Sequence, residues 1–112
     1  MSGRNYFILN ELFINYNEGG VAMLLSADDI AKELKVLKGW SLDGKEMKKT
    51  FEFADFVHAM GFVNSVALLA EKANHHPDID IRWNKVSLAL STHSEGGLTE
   101  KDVKLAKGIE GL

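Results

Sequence analysis

Glu71–Asp102, EKANHHPDIDIRWNKVSLALSTHSEGGLTEKD, is the stretch that decides how this chain folds. Pro77 cannot extend a helix and biases His76 away from helical dihedrals, so a helix running into it ends by about Asn74 or His75. The adjacent pair His75-His76 then leaves that helix end in two directions. Beyond it, Ile79–Trp83 and Val86–Thr92 read as two strands of a hairpin, with Asn84-Lys85 as the turn. In the second strand Val86, Leu88 and Leu90 point one way and Ser87, Ala89 and Ser91 the other, the first set toward the core. A strand that stays regular gives His93 the parity of the small, polar row. Gly96-Gly97 breaks it. Thr99 then caps a last helix with Asp102 three residues on, a capping-box-like start, and Val103, Ala106 and Ile109 supply the inward face.

Upstream, the helix that ends at the histidines opens at Asp55. Phe56, Met60, Val63, Ala67 and Ala70 form its stripe, widened by Phe62, Val66 and Leu69. Before it, WSLDGKEMKKTFEF (40–53) carries Asp43-Gly44, a hairpin-turn signal, between two half-apolar runs. Met47, Lys49, Phe51 and Phe53 share one side of the second run, and Lys49 is the odd member. Ser26 caps a first helix in which Ile30, Leu34 and Leu37 recur at helical spacing and Gly39 marks the end. The order helix, hairpin, helix, hairpin, helix predicts an α+β domain: a four-stranded antiparallel sheet with helices packed on one face. Trp40 and Trp83 are expected as core anchors.

A chain of 112 residues supports one core, and 46% hydrophobic with 26% charged residues is the balance of a soluble globular domain. The formal charge of −3 comes without a basic run, which speaks against direct nucleic-acid binding. There are no cysteines, so disulfides, thiolate metal sites and cysteine nucleophiles are excluded. No apolar run reaches membrane-spanning length. The apolar patch Tyr6–Leu9 is cut short by Asn10 and Glu11 and no small-residue cleavage site follows, so a cytoplasmic location is expected. Residues 1–22 fit poorly with the rest and are read as an N-terminal extension to a single domain over 23–112. Glu18-Gly19-Gly20 can be encoded as GAAGGAGGN, a purine run of the kind that bacterial ribosomes pair with, so Met23 is the expected natural start.

Histidine is the side chain best suited to exchange protons near neutral pH. At a helix C-terminus the His75-His76 pair can be a dipole-friendly cap. A metal site is the second reading, but adjacent histidines diverge and the i, i+4 pairing is absent, so no metal is expected. The third is proton transfer, because a hairpin that returns beside the helix end can bring His93 to the other two. His58, early on the long helix, reads as a surface or packing histidine. Glu71 and Asp102 can be solvated helix-face and helix-start acids.

The chain from about Ser26 to Leu112 resembles the pterin-4a-carbinolamine dehydratase family. That family's motif is a charged residue, three residues, His-His-Pro, five or six residues, an aromatic, nine residues, a histidine, and an aspartate soon after. Here three residues separate Glu71 from His75-His76-Pro77, five separate Pro77 from Trp83, nine separate Trp83 from His93, and eight separate His93 from Asp102. AEKANHHP, LSTH and GLTEKDVKLA also look like the family. Asn74 stands where aspartate is frequent, and residues 1–22 have no counterpart.

The resemblance implies dehydration of a 4a-hydroxytetrahydropterin to quinonoid dihydropterin and water, recycling the cofactor of aromatic amino acid hydroxylases, with no metal or other cofactor. It assigns acid–base catalysis to His75, His76 and His93, substrate binding to Pro77, Thr92, Ser94 and Glu95, and supporting roles to Glu71 and Asp102. It also implies a homodimer or homotetramer. Alternative family roles are an offshoot in another pterin pathway such as molybdopterin metabolism, or a partner-binding dimerisation module, since animal members assist a homeodomain transcription factor through helix-face contacts.

Overall fold

The computed structural model describes residues 22–112. Apart from Ala22, the expected N-terminal extension lies outside the described residues. Helix α1 (Ala27–Val36) is followed by strands β1 (Ser41–Asp43) and β2 (Glu46–Glu52), helix α2 (Phe56–Ala73), strands β3 (Asp78–Arg82) and β4 (Lys85–Leu90), a 3-10 turn (His93–Glu95) and helix α3 (Glu100–Glu110). The four strands form one antiparallel sheet in the order β1-β2-β4-β3. This is the expected α+β class.

Alternation along β4 seals the sheet against the helices. Val86, Leu88 and Leu90 are buried among Val66 of α2 and Val103, Ala106 and Ile109 of α3, while Ser87 and Ala89 are half-buried on the opposite side. Each helix begins on the oxygen that the sequence provides: Ser26 accepts from the Asp29 N–H, Asp55 from that of His58, and Thr99 opens a full capping box with Asp102. Helix α1 buries no residue completely. It rests through half-buried Ile30 and Leu34, and its Glu33 pairs with Lys107 of α3 at 3.1 Å.

Lys49, the odd member of its strand face, has a structural use. Its Nζ donates to the Lys38 carbonyl (2.8 Å) and to Glu110 Oε2 (2.7 Å), the carboxylate oxygen that also accepts from Trp40 Nε1 (2.9 Å). One acid at the end of α3 thereby holds the α1–β1 connection and β2 together.

Three expectations are corrected. The buried line of α2 is Ala59, Val66 and Ala70, with Phe62, Val63 and Leu69 half-buried; Phe56 and Ala67 fall on the exposed side. The β3–β4 loop is Trp83-Asn84, because Arg82 pairs with Lys85, one residue before the expected turn. Trp83 is consequently not a core anchor: it takes φ +52 in the loop and is 66% exposed. Asn84 is the residue that turns inward, donating its side-chain amide to the Phe53 carbonyl (2.8 Å) while its backbone carbonyl accepts from the Phe53 N–H (2.8 Å). The third correction concerns His93. The sheet ladder stops at Leu90 and Thr92 bridges to Gly97, so His93 starts a 3-10 turn and has no strand parity.

Candidate active site

The site is built where the end of α2, the end of β4 and the start of α3 meet. Asn74 takes a left-handed conformation (φ 50), its N–H donating to the Glu71 carbonyl and that of His75 to Ala70. These two bonds make a Schellman closure, and asparagine is one of the few residues that enters the left-handed region readily. The chain therefore reverses sharply just before the two histidines, and their rings part company.

His75 turns inward. Its Nε2 lies 2.6 Å from Asp102 Oδ1, with 11% of its side chain exposed and none of the aspartate's. The second carboxylate oxygen accepts from the Thr99 backbone N–H (2.9 Å) and the Thr92 hydroxyl (2.7 Å). Since Thr92 gives its proton to Asp102, the 2.8 Å contact between the two threonine hydroxyls is a donation from Thr99. The chain of donors has one direction, and it fixes the histidine as well. With Asp102 as acceptor throughout, Nε2–H donates to Oδ1 and Nδ1 is the nitrogen left open. No described residue bonds to Nδ1. Asp102 thus has two tasks, closing the cap of α3 and orienting the His75 ring.

His76 turns outward to Glu71 on the preceding helical turn, Nε2 to Oε2 at 2.5 Å, with both groups exposed. His93 sits exposed on the 3-10 turn, which closes through Glu95 and Gly96 N–H bonds to the Thr92 carbonyl, each 3.0 Å. The His93 ring bonds to no other described residue. Ser94 donates to Glu95 Oε2 at 3.2 Å, Pro77 is half-buried, and Thr92 is buried with its hydroxyl committed to Asp102. The structure therefore gathers His75, Thr92 and Asp102 into one network, pairs His76 with Glu71, and leaves His93 bonded to neither. Among the described residues no group of three histidine or carboxylate side chains is arranged to hold a metal ion.

His93 instead lines an open cavity of about 440 Å³. Asp43, Lys45 and Glu46, from the β1–β2 turn, line it together with Ser91 and Gly97. Neither this wall nor the place of Thr99 in the Asp102 network was anticipated. The capping box was the available signal for Thr99; the cavity wall depends on strand register, which places residues 43–46 and 91 side by side although they lie far apart in sequence.

His58 is exposed and bonds through Nδ1 to Asp55 (2.7 Å), the N-cap of its own helix, remote from this network. Backbone and ring hydrogen bonds from His58 hold the Asp55 carboxyl below its ordinary range.

A family model described as pterin 4 alpha carbinolamine dehydratase matches residues 23–112. Two relatives provisionally named pterin-4-alpha-carbinolamine dehydratases come from Roseiflexus castenholzii and Sulfurisphaera tokodaii. The first is 53% identical over 80% of this chain and 97% of its own. The second is 49% identical over 79% of this chain and 95% of its own. A crystal structure described as a transcriptional coactivator/pterin dehydratase from Brucella melitensis superposes with a TM-score of 0.75 at 39% identity, covering 78% of this chain and 95% of that one. A pterin dehydratase-like protein described as a RuBisCO assembly factor in the alpha-carboxysome shares the fold, with a TM-score of 0.55 at 20% identity over 64% of this chain and 83% of its own.

Proposed function

The chain belongs to the pterin-4α-carbinolamine dehydratase family, and from that premise we propose that it dehydrates 4a-hydroxytetrahydropterin to quinonoid dihydropterin and water. The observation that carries the reading is the one-way network behind His75: Thr99 to Thr92 to Asp102, with His75 Nε2–H donating to the other carboxylate oxygen. It presents Nδ1 as a proton acceptor in a fixed orientation.

The reaction needs such a group. Hydroxide is a poor leaving group, so the C4a hydroxyl must receive a proton as its C–O bond breaks. The N5–H proton must go to a base as the C4a=N5 bond forms, so that one water leaves and the protons balance. In this reading His75 Nδ1 takes the N5 proton, and Asp102 supports the ring as it becomes charged. His76 and His93 are the groups left for the acid role. Glu71 steadies His76; Pro77, Ser94 and Glu95 border the pterin, with Thr92 acting from behind through Asp102. No step requires a metal or a cofactor. The product chemistry suits recycling of the pterin used by aromatic amino acid hydroxylases.

A homo-oligomer is part of the proposal. Both edge strands of the sheet are exposed along their lengths, and α2 presents Val57 and Leu68, 76% and 74% exposed, on its outer side. Light scattering that finds only monomer at micromolar concentration refutes this part. Among the described residues no helix is long and apolar enough to cross a membrane.

The direct test is dehydration of a synthetic 4a-hydroxytetrahydropterin, with the spontaneous rate subtracted. His75→Ala, His76→Ala and His93→Ala are each expected to lower turnover about 10²–10⁴-fold, and His58→Ala to leave it intact. Combined substitutions should cost less than the product of the single effects. Full activity in the His75→Ala/His93→Ala double variant overturns the mechanism, as does loss of activity to a chelator with recovery on adding metal.

A further inference from the structure

The last turn of α2 bonds to each of the three residues that follow the helix. The Glu71 carbonyl accepts the Asn74 N–H (3.2 Å), the Ala70 carbonyl accepts the His75 N–H (3.1 Å), and the Glu71 carboxylate lies 2.5 Å from His76 Nε2. Glu71 therefore serves twice, its backbone closing the helix and its side chain holding a histidine.

The arrangement depends on Asn74 being left-handed, at φ 50 and ψ 43. Among the described residues Trp83 is the one other non-glycine residue with positive φ, and it stands at the far end of the β3–β4 hairpin. Left-handed backbone is costly for most L-residues and cheapest for glycine and asparagine, so such a residue marks a place where the surroundings require it. The Asn74 side chain supplies no other reason: it is exposed and hydrogen-bonds to no described residue. Downstream, Pro77 fixes its own φ and keeps His76 extended. The two histidines are thus clamped between a residue that must reverse the chain and one that cannot bend it.

We propose that Asn74 is a positioning residue for this pair: its left-handed backbone, not its amide, sets the separation and direction in which the His75 and His76 rings meet one substrate. The inference rests on the dehydratase reading for the use of both rings. Their anchors are unequal. His75 is held by Asp102, which is fully buried and bonded on both oxygens, whereas His76 and Glu71 are both exposed. A residue that resists the left-handed region should therefore fray the last turn of α2 and release His76 from Glu71, leaving His75 on Asp102. The proposed base stays in place and its partner is lost, so turnover falls while pterin binding holds.

The test compares full-length wild type, Asn74→Gly, Asn74→Val and Asn74→Ala, alone and combined with Glu71→Ala, each assayed where circular dichroism shows it folded. Glycine enters the left-handed region freely and should keep kcat within about twofold of wild type. Valine, branched at Cβ, should lower kcat about 10- to 100-fold with KM little changed, the scale for a catalytic group displaced by about 1 Å. Alanine should lose about three- to tenfold and carries the test if the valine variant does not fold. Glu71→Ala should lower kcat in wild type and in Asn74→Gly, yet add almost nothing to Asn74→Val or Asn74→Ala, where its contact is already gone. Wild-type kcat in Asn74→Val overturns the proposal, as does an equal loss in Asn74→Gly, which would assign the role to the amide. Effects of Asn74→Ala and Glu71→Ala that simply multiply overturn it too. If the wild type dehydrates nothing, the reaction is refuted and the geometry of Asn74→Ala decides the positioning. A crystal structure in which His76 has left Glu71 while His75 stays on Asp102 upholds it, and one with both rings in place overturns it.

Discussion

Asp102 is the residue at which folding and the proposed chemistry are most tightly joined, and two substitutions there separate them. Its carboxylate is fully buried and accepts three hydrogen bonds, from Thr99 N–H, the Thr92 hydroxyl and His75 Nε2–H. Asp102→Ala strips a partner from all three. A buried donor left unsatisfied costs about 1–3 kcal/mol. Thr99 and Thr92 are buried, whereas His75 has a little access to water, so two donors bear most of the loss. Direct addition gives about 2–6 kcal/mol, and the middle of that range is our expectation for the drop in unfolding free energy measured with urea. Against a typical total of about 5–15 kcal/mol, this variant is close to unfolding.

Asp102→Asn is the sharper probe. Its one carbonyl oxygen must serve the Thr99 N–H, which can only donate, so its amide group falls opposite His75 Nε2. That nitrogen then has to accept, and the proton moves to Nδ1, the nitrogen proposed as the base. The fold should survive with a loss of about 1–2 kcal/mol, the scale of a weakened hydrogen-bond set. Turnover should fall about 10²–10⁴-fold, the scale for removing a general base or holding a catalytic histidine in the wrong tautomer. The ¹⁵N spectrum of the His75 ring distinguishes this from general damage: Nε2 carries the proton in the wild type and loses it in the variant. Full activity in Asp102→Asn, or an unchanged His75 tautomer, refutes the argument.

Three further outcomes test the framework around the site. Gly39→Ala should destabilise by roughly 1–2 kcal/mol or more in urea unfolding, because Gly39 sits at φ +87 and an added Cβ meets Lys49 Cε at 2.9 Å; an unchanged midpoint contradicts it. Glu110→Ala removes the acceptor shared by Trp40 and Lys49 and should cost about 1–3 kcal/mol, with a red-shifted, more exposed Trp40 emission that a Trp83→Phe background isolates. Asp55→Asn should flatten the acid limb of the stability curve. The Asp55 carboxyl is depressed in the folded state by bonds from His58, so its contribution is present above the unfolded-state value and is lost as pH falls through the folded one. Urea midpoints between about pH 6 and pH 3 should therefore converge for wild type and variant, and parallel curves would rule the linkage out.

Sequence reading was most informative where one local force acts alone. Ser26, Asp55 and Thr99 were each legible as caps because an acceptor side chain next to a helical period has one obvious use, and each is seated there. The β4 alternation was legible because it has period two and a buried side. Reading the phase of α2 was less successful. Its apolar residues wrap far round the helix, so composition allowed several stripes, and only the positions of β4 and α3 select Ala59, Val66 and Ala70. Trp83 failed for a related reason. A large aromatic in a strand-like run argues for burial, but the hairpin register sets it in the loop and gives the inward position to Asn84, whose side-chain amide donates to the Phe53 carbonyl.

The candidate site divides along the same line. His75 and Asp102 were each conspicuous, one beside a proline and one in a capping box, yet their contact spans 27 residues and rests on a single left-handed residue, Asn74. A φ sign leaves little trace in hydrophobic patterning, so the direction in which each histidine departs could be argued only as divergence, not assigned. Thr99 was hidden by having a sufficient local explanation: a cap needs nothing more, and nothing in the string says that its hydroxyl goes on to Thr92. The cavity wall was hidden more completely. Asp43-Gly44 announces a turn, and a turn with charged residues normally means solvent. That the same charges border His93 follows from which strand β2 pairs with and in what register, a non-local choice. Residues that react can often be recognised from their type and spacing, whereas residues that border a cavity acquire that meaning only from their neighbours in space.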